Sequence, residues 1–247
     1  MARQRHLNNA PITEAIIDFR VVLASGFDVK KFLEAKETLC KNYPKNETIK
    51  LVTASFGTEK DGKTFIKPPQ DEETQGYFFK SEDEKNIAQF RLDGFTYNRL
   101  HPYTNWENVL GEAKSLWGVY CSIASLEKVK RVAVRYINKL DIELPISDFS
   151  EYLVAPPNVA SSLPQAISQF LMRMTIHDGD KIVNLIQTMG PSDNTSNIQI
   201  ILDIDAFKIS EPGLNVRNIW SDFEELHTLK NRMFFESITE KVAEKYE

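Results

Sequence analysis

His227 and Lys230 stand three residues apart in a stretch whose helical neighbours, Phe223, Leu226 and Phe234, are apolar. An imidazole and an amine on the buried stripe of a helix need partners, because an unpaired polar group in apolar surroundings is costly. One reading is a pocket in which His227 acts as acid, base or ligand contact. The other is a core histidine bonded to a carboxylate, with Lys230 reaching to the rim. A hydrolytic use of His227 requires Asp203 or Asp205 to converge with it within hydrogen-bond reach. Arg20 and Arg135 fall mid-strand among apolar residues. Each can clamp an anion through its planar guanidinium, or pair with Glu14, Asp18, Asp203 or Asp205. Strand alternation puts Arg135 on one face with Ala133 and Ile137, and Tyr136 on the other. Arg99, Tyr103 and Trp106 lie where a strand turns into a helix, a place suited to ligand contact and equally to closing the helix start. The ligand-binding candidates are Arg20, Arg99, Tyr103, Arg135, Tyr136, His227 and Lys230; the catalytic ones are His227, Asp203 and Asp205.

Several chemistries lack their motifs. There is no GxGxxG, no GxxxxGK[ST] and no GxSxG, and His6, His101, His177 and His227 show neither HExxH nor HxH spacing. No cofactor and no metal is expected. Lys128, Lys130, Arg131, Arg135 and Lys139, with Tyr136 among them, could follow a phosphate backbone. Alternation splits these charges over two faces, and a net charge of −5 repels phosphates. Nucleic-acid binding through residues 128–139 is therefore the weakest alternative. Cys40 and Cys121 are isolated, as in a reduced, cytoplasmic protein. No early apolar stretch reaches signal-peptide length, and no run approaches about 18 apolar residues, so no membrane span is expected.

The elements that must position these groups follow from periodicity. Strands are predicted at 15–23, 48–56, 75–80, 86–92, 94–100, 129–142, 168–176, 181–189 and 198–204. Residues 57–74 and 190–197 read as loops, 147–154 as a turn or short helix and 156–164 as a linker. Helices are predicted at 28–41, 104–125 and 215–244. Thr104 and Glu107 have the spacing of a capping box for the second.

The two halves also align. Residues 89–93 match 199–203 at an offset of 110, and the same offset lays 104–125 over 215–244, with Trp117 on His227 and Tyr120 on Lys230. Arg20 lies over Arg135 at a slightly different offset, 115. The expected fold is α+β, with two pseudo-repeated lobes, 1–126 and 127–247, in one compact body. Each lobe is an antiparallel sheet with a long helix across one face.

Residues 7–15, Asp93-Gly94-Phe95, 99–107 and 131–138, and the helix holding Leu226-His227 and 234–239, together resemble a sporadically distributed family of uncharacterised bacterial proteins of similar length. The resemblance runs over most of the chain and implies a single module of that length, with no activity attached. The leading functional expectation is a non-enzymatic module that binds a small molecule or a protein partner in a groove between sheet and long helix. A free sheet edge would admit a partner strand, and a homodimer is a further form of partner. The alternative is a hydrolytic enzyme using His227 with Asp203 or Asp205.

Overall fold

The computed structural model describes residues 1–52, 55–58, 64–67, 72–190 and 196–247. Its strands are β1 (Ile12–Leu23), β2 (Lys45–Val52), β3 (Ser55–Thr58), β4 (Thr64–Lys67), β5 (Glu72–Lys80), β6 (Asn86–Arg91), β7 (Gly94–Leu100), β8 (Leu126–Glu143), β9 (Leu171–Asp178), β10 (Lys181–Gly190) and β11 (Asn197–Ile209). Its α-helices are α1 (Ala35–Leu39), α2 (Trp106–Ile123), α3 (Ile219–Ser237) and α4 (Glu240–Glu244).

Nine strands form one antiparallel sheet in the order β2-β5-β6-β7-β1-β8-β11-β10-β9, and β3 pairs with β4 in a second sheet. This overturns the expected pair of lobes, each with its own sheet and helix. β1 pairs with β8 along almost its whole length, so the sheet runs unbroken across the predicted 126/127 boundary. The physical reason is that two separate sheets would each leave a long central edge of unpaired N–H and C=O groups. The offset of 110 lays β6 over β11, whereas by place in the sheet β11, beside β8, corresponds to β7, beside β1.

Local differences have local causes. The helix predicted over 215–244 ends at Ser237, where Ile238 turns extended and bridges Leu153 before α4 begins. Asn105, not Thr104, caps α2, its side chain accepting from the Asn108 amide at 2.8 Å. The helix predicted at 28–41 is a 3-10 turn over Val29–Glu34 followed by α1. Within the loops predicted at 57–74 and 190–197, Thr64–Lys67 is strand; residues 59–63, 68–71 and 191–195 lie outside those described.

Alternation sorts the sheet into two unlike faces. Ala15, Ile17 and Phe19 of β1, Val132, Val134 and Tyr136 of β8, and Leu202 and Ile204 of β11 are buried on one face. Both long helices cover that face. Phe19 stacks on Trp117 of α2 with centroids 3.9 Å apart and meets Phe223 of α3 at 4.9 Å. Such aromatic packing contributes beyond the area it buries. The opposite face carries Glu14, Asp18 and Arg20 of β1, Arg131 and Arg135 of β8, and Asp203 and Asp205 of β11.

Candidate functional site

That division decides which predicted site residues can meet. Asp203 and Asp205 alternate with Leu202 and Ile204, and α3 packs on the side of those two apolar residues. The sheet therefore separates both carboxylates from His227, and the expected His–Asp pair does not assemble. Arg135 holds Asp203 through two bonds, Nε–Oδ1 at 2.8 Å and Nη2–Oδ2 at 2.6 Å. Those bonds come first among the causes that raise its pKa. Arg131 spans Asp205 (2.7 Å) and Asp18 (3.0 Å), while Asp18 also accepts from the Thr96 hydroxyl at 2.7 Å. Arg20 pairs with Asp93. The arginines expected as anion clamps thus hold the protein's own carboxylates. The same pairs neutralise much of the basic strip at 128–139, where Lys130 also faces Glu211 at 3.5 Å.

Arg99 lies apart from the other candidates. It donates to the Pro102 carbonyl at 2.9 and 3.1 Å and to Asn86 at 3.1 Å, beside a second cleft of about 330 Å³ where the Tyr43 hydroxyl donates to Glu112 at 2.6 Å.

Tyr103, Tyr136, His227 and Lys230 do converge. A cleft of about 360 Å³ opens among the N-terminal segment, the start of α2 and the middle of α3. Leu7 and Pro11, Tyr103 and Trp106, and His227 and Lys230 are walls from those three parts. The N-terminal segment is tied across α3 and α4. The Ala2 amide donates to the carbonyls of Phe235 and Ile238, and Arg5 pairs with Glu240 and Glu247.

Trp106 begins α2, and its indole N–H donates to Glu224 of α3 at 2.7 Å. This fixes its ring flat against His227, with centroids 4.0 Å apart and planes 2° from parallel. Burial, aided by the nearby Lys230 charge, pulls the His227 pKa from 6.5 to about 3, so the ring is neutral at physiological pH. Lys230 is 5% exposed. Its Nζ lies 3.6 Å from the centroid of the Tyr136 ring and donates to Asn231 Oδ1 at 2.5 Å. Lys230 gives that bond to Oδ1, which leaves the Asn231 amide nitrogen toward His227 Nε2, 3.3 Å away. The imidazole hydrogen is thereby placed on Nδ1. Tyr136 is fully buried and its hydroxyl donates to that of Tyr103 at 3.1 Å. Burial raises both phenol pKa values, so both hydroxyls keep their hydrogens.

Lys230 is unlike the other buried lysine of this half. Lys208, 8% exposed, has Asp222 at 2.7 Å, Asp180 at 3.0 Å and Glu225 at 3.2 Å. Burial opposes its charge, but those bonds more than offset burial and its pKa rises. Lys230 forms no ion pair among the described residues, and burial alone draws its pKa from 10.5 down to about 7. Lys230 therefore does not reach to the rim.

Sequence reasoning missed the N-terminal wall, whose residues 4–12 carry no periodic signal, and Asn231. The latter stands four residues after His227, a helical spacing that brings side chains together. Among the described residues no group of three His, Cys, Asp or Glu side chains is arranged to hold a metal ion. No helix among them is long and apolar enough to cross a membrane. No protein-family model and no curated protein matches the chain.

Proposed function

We propose that this protein is a binding module for a small organic molecule, held in the cleft between the N-terminal segment, α2 and α3. The observation that carries this reading is Lys230, a buried amine with no carboxylate partner among the described residues, at the wall of a cavity of about 360 Å³. Its one hydrogen bond goes to Asn231, and a bound acceptor would take a further hydrogen of the amine. The cleft also has the composition of a ligand site: an apolar wall of Leu7, Pro11 and Trp106, with a few convergent polar groups from Tyr103, His227 and Lys230. The segments that carry the resemblance to the sporadic bacterial family meet here, since Leu7, Pro11, Tyr103, Trp106 and His227 all belong to them. Membership of that family is part of the proposal, as is a cytoplasmic location, in keeping with two free cysteines.

Native mass spectrometry of the protein purified from its host tests the reading. The expected result is a small-molecule adduct that is lost in Lys230→Met and Tyr103→Phe. A ligand-free wild type, with no thermal stabilisation by any of a panel of small oxo acids, hydroxy acids and aldehydes, would overturn it. An adduct that both variants retain would move the site elsewhere.

A further inference from the structure

We propose that Lys230 is a nucleophile that captures a small aldehyde or ketone in the cleft as a reversible imine. The inference rests on the ligand-binding reading above and adds the chemical class of the ligand. Three features of the site support it. The amine is held against the Tyr136 ring and by Asn231, so its position is defined. Among the described residues no carboxylate pairs with it to keep it an ammonium, in contrast to Lys208. Its direct contacts carry no negative charge: the amine meets the Tyr136 ring and the Asn231 amide, beside the neutral His227 ring, while Glu107 also lines the cleft and Arg5 there is paired with Glu240. An uncharged amine is the reactive form for attack on a carbonyl, and burial that lowers the pKa of Lys230 to about 7 supplies it at neutral pH.

The step balances without a further reagent. The amine nitrogen of Lys230 forms a bond to the carbonyl carbon as the carbonyl π pair moves onto oxygen. That oxygen takes up a proton and the nitrogen loses one, giving a carbinolamine. The nitrogen lone pair then forms the C=N bond as the C–O bond breaks, and the departing hydroxide takes the nitrogen's remaining hydrogen as water, leaving the imine; added water reverses the sequence. Tyr103 accepts from Tyr136 and so keeps its own hydrogen for an oxygen in the cleft. His227 Nε2 is engaged with Asn231, which makes the imidazole a positioning group for the amide that holds the amine.

Glyoxylate, a small aldehyde, and glycolate, its alcohol counterpart that cannot form an imine, are the probes. The full-length protein is incubated with glyoxylate and cyanoborohydride, which reduces an imine to a stable secondary amine, and the modified lysine is located by peptide mass mapping. The expected result is modification of Lys230 at least about tenfold faster than of exposed lysines such as Lys36. Even labelling of surface lysines with Lys230 spared overturns the proposal. Thermal shifts with each probe separate the two readings. If glyoxylate and glycolate both stabilise the protein while Lys230 stays unlabelled, imine capture is wrong and the binding site stands. If neither stabilises and Lys230 is unlabelled, imine capture falls, and the binding reading falls with it when the wild type is ligand-free and the wider panel also fails to stabilise. The mapping needs no variant, and Lys230→Arg with its melting point checked serves as the second line.

Discussion

Replacing Lys230 by methionine should remove a pH dependence of folding that the wild type carries. The amine titrates at about 7 in the folded protein and at 10.5 when exposed. Between those values the unfolded chain holds a proton that the folded chain has released. Stability therefore rises with pH across this window. The cost of burying the charge is fully present below about pH 7 and gone above about 10.5. A gap of about three and a half pH units corresponds to about 5 kcal/mol at 1.36 kcal/mol per unit. Over pH 7 to 9 the proton difference averages a little under one, so the wild type should gain about 2 kcal/mol there from this group. Methionine fills similar volume without a charge, at the cost of the bond to Asn231, worth about 1 kcal/mol. Lys230→Met should thus be the more stable protein at pH 7, with its advantage shrinking by about 2 kcal/mol by pH 9. Urea unfolding followed by tryptophan fluorescence at several pH values measures the difference, provided the urea slopes agree. Subtracting the variant cancels groups common to both, including Cys121, whose pKa burial raises to about 11. Parallel stability curves for the two proteins would show that Lys230 is not held in the environment described, and the reasoning built on its burial would fail.

His227 should behave oppositely to an ordinary surface histidine. Its folded pKa of about 3 lies below 6.5, so stability should fall as pH drops from 6.5 toward 3, and His227→Phe should flatten that fall in urea midpoints compared at pH 7 and 4.5. Asp18 accepts from Thr96 and from Arg131, and Asp18→Asn should destabilise by about 2–3 kcal/mol by leaving charges of the open face under-paired, an effect that equilibrium unfolding measures. Gly94 sits at the tight approach of β7 to β1, where an added Cβ would lie 2.1 Å from the Phe19 carbonyl oxygen. Gly94→Ala should therefore cost about 2–3 kcal/mol and lower the melting temperature measured by circular dichroism.

The residue pattern made the faces legible and left the neighbours open. Alternation in 15–23 and 129–142 correctly separates Phe19 and Tyr136 from Arg20 and Arg135, because side-chain direction along a strand is local. Which strand lies beside which is a tertiary choice. Nothing in β1 or β8 alone says that they pair with each other, and a shared amphipathic rhythm in two helices produced a repeat register that the strand order does not follow. The same limit applies to the site. The break in the apolar stripe at His227 and Lys230 is visible in the residues, and so are Asp18, Asp203 and Asp205 as partners for arginine. That the arginines and those carboxylates share one side of the sheet, and His227 the other, emerges only when β11 is set against β8 and α3 is laid over both. The N-terminal segment contributes a wall of the cleft through a hydrogen bond of Ala2 and the ion pairs of Arg5, which leave no periodic trace.

A buried charge without a counter-ion is poor material for stability. Burying the Lys230 charge opposes folding below about pH 7, against a whole stability of about 5–15 kcal/mol for a typical domain. The neighbouring Lys208 shows that α3 can satisfy a buried lysine, since Asp222 and Glu225 of that helix both reach it. At position 230 the helix presents no such carboxylate, and an apolar residue would pack against Tyr136 at no electrostatic cost. The amine is held in place by an asparagine oxygen and an aromatic ring, which favour its charge far less than a carboxylate does and leave burial to lower its pKa. An arrangement that orients an amine yet leaves its charge uncompensated suits an amine that acts on something entering the cleft, and it does not suit one that merely holds the fold together.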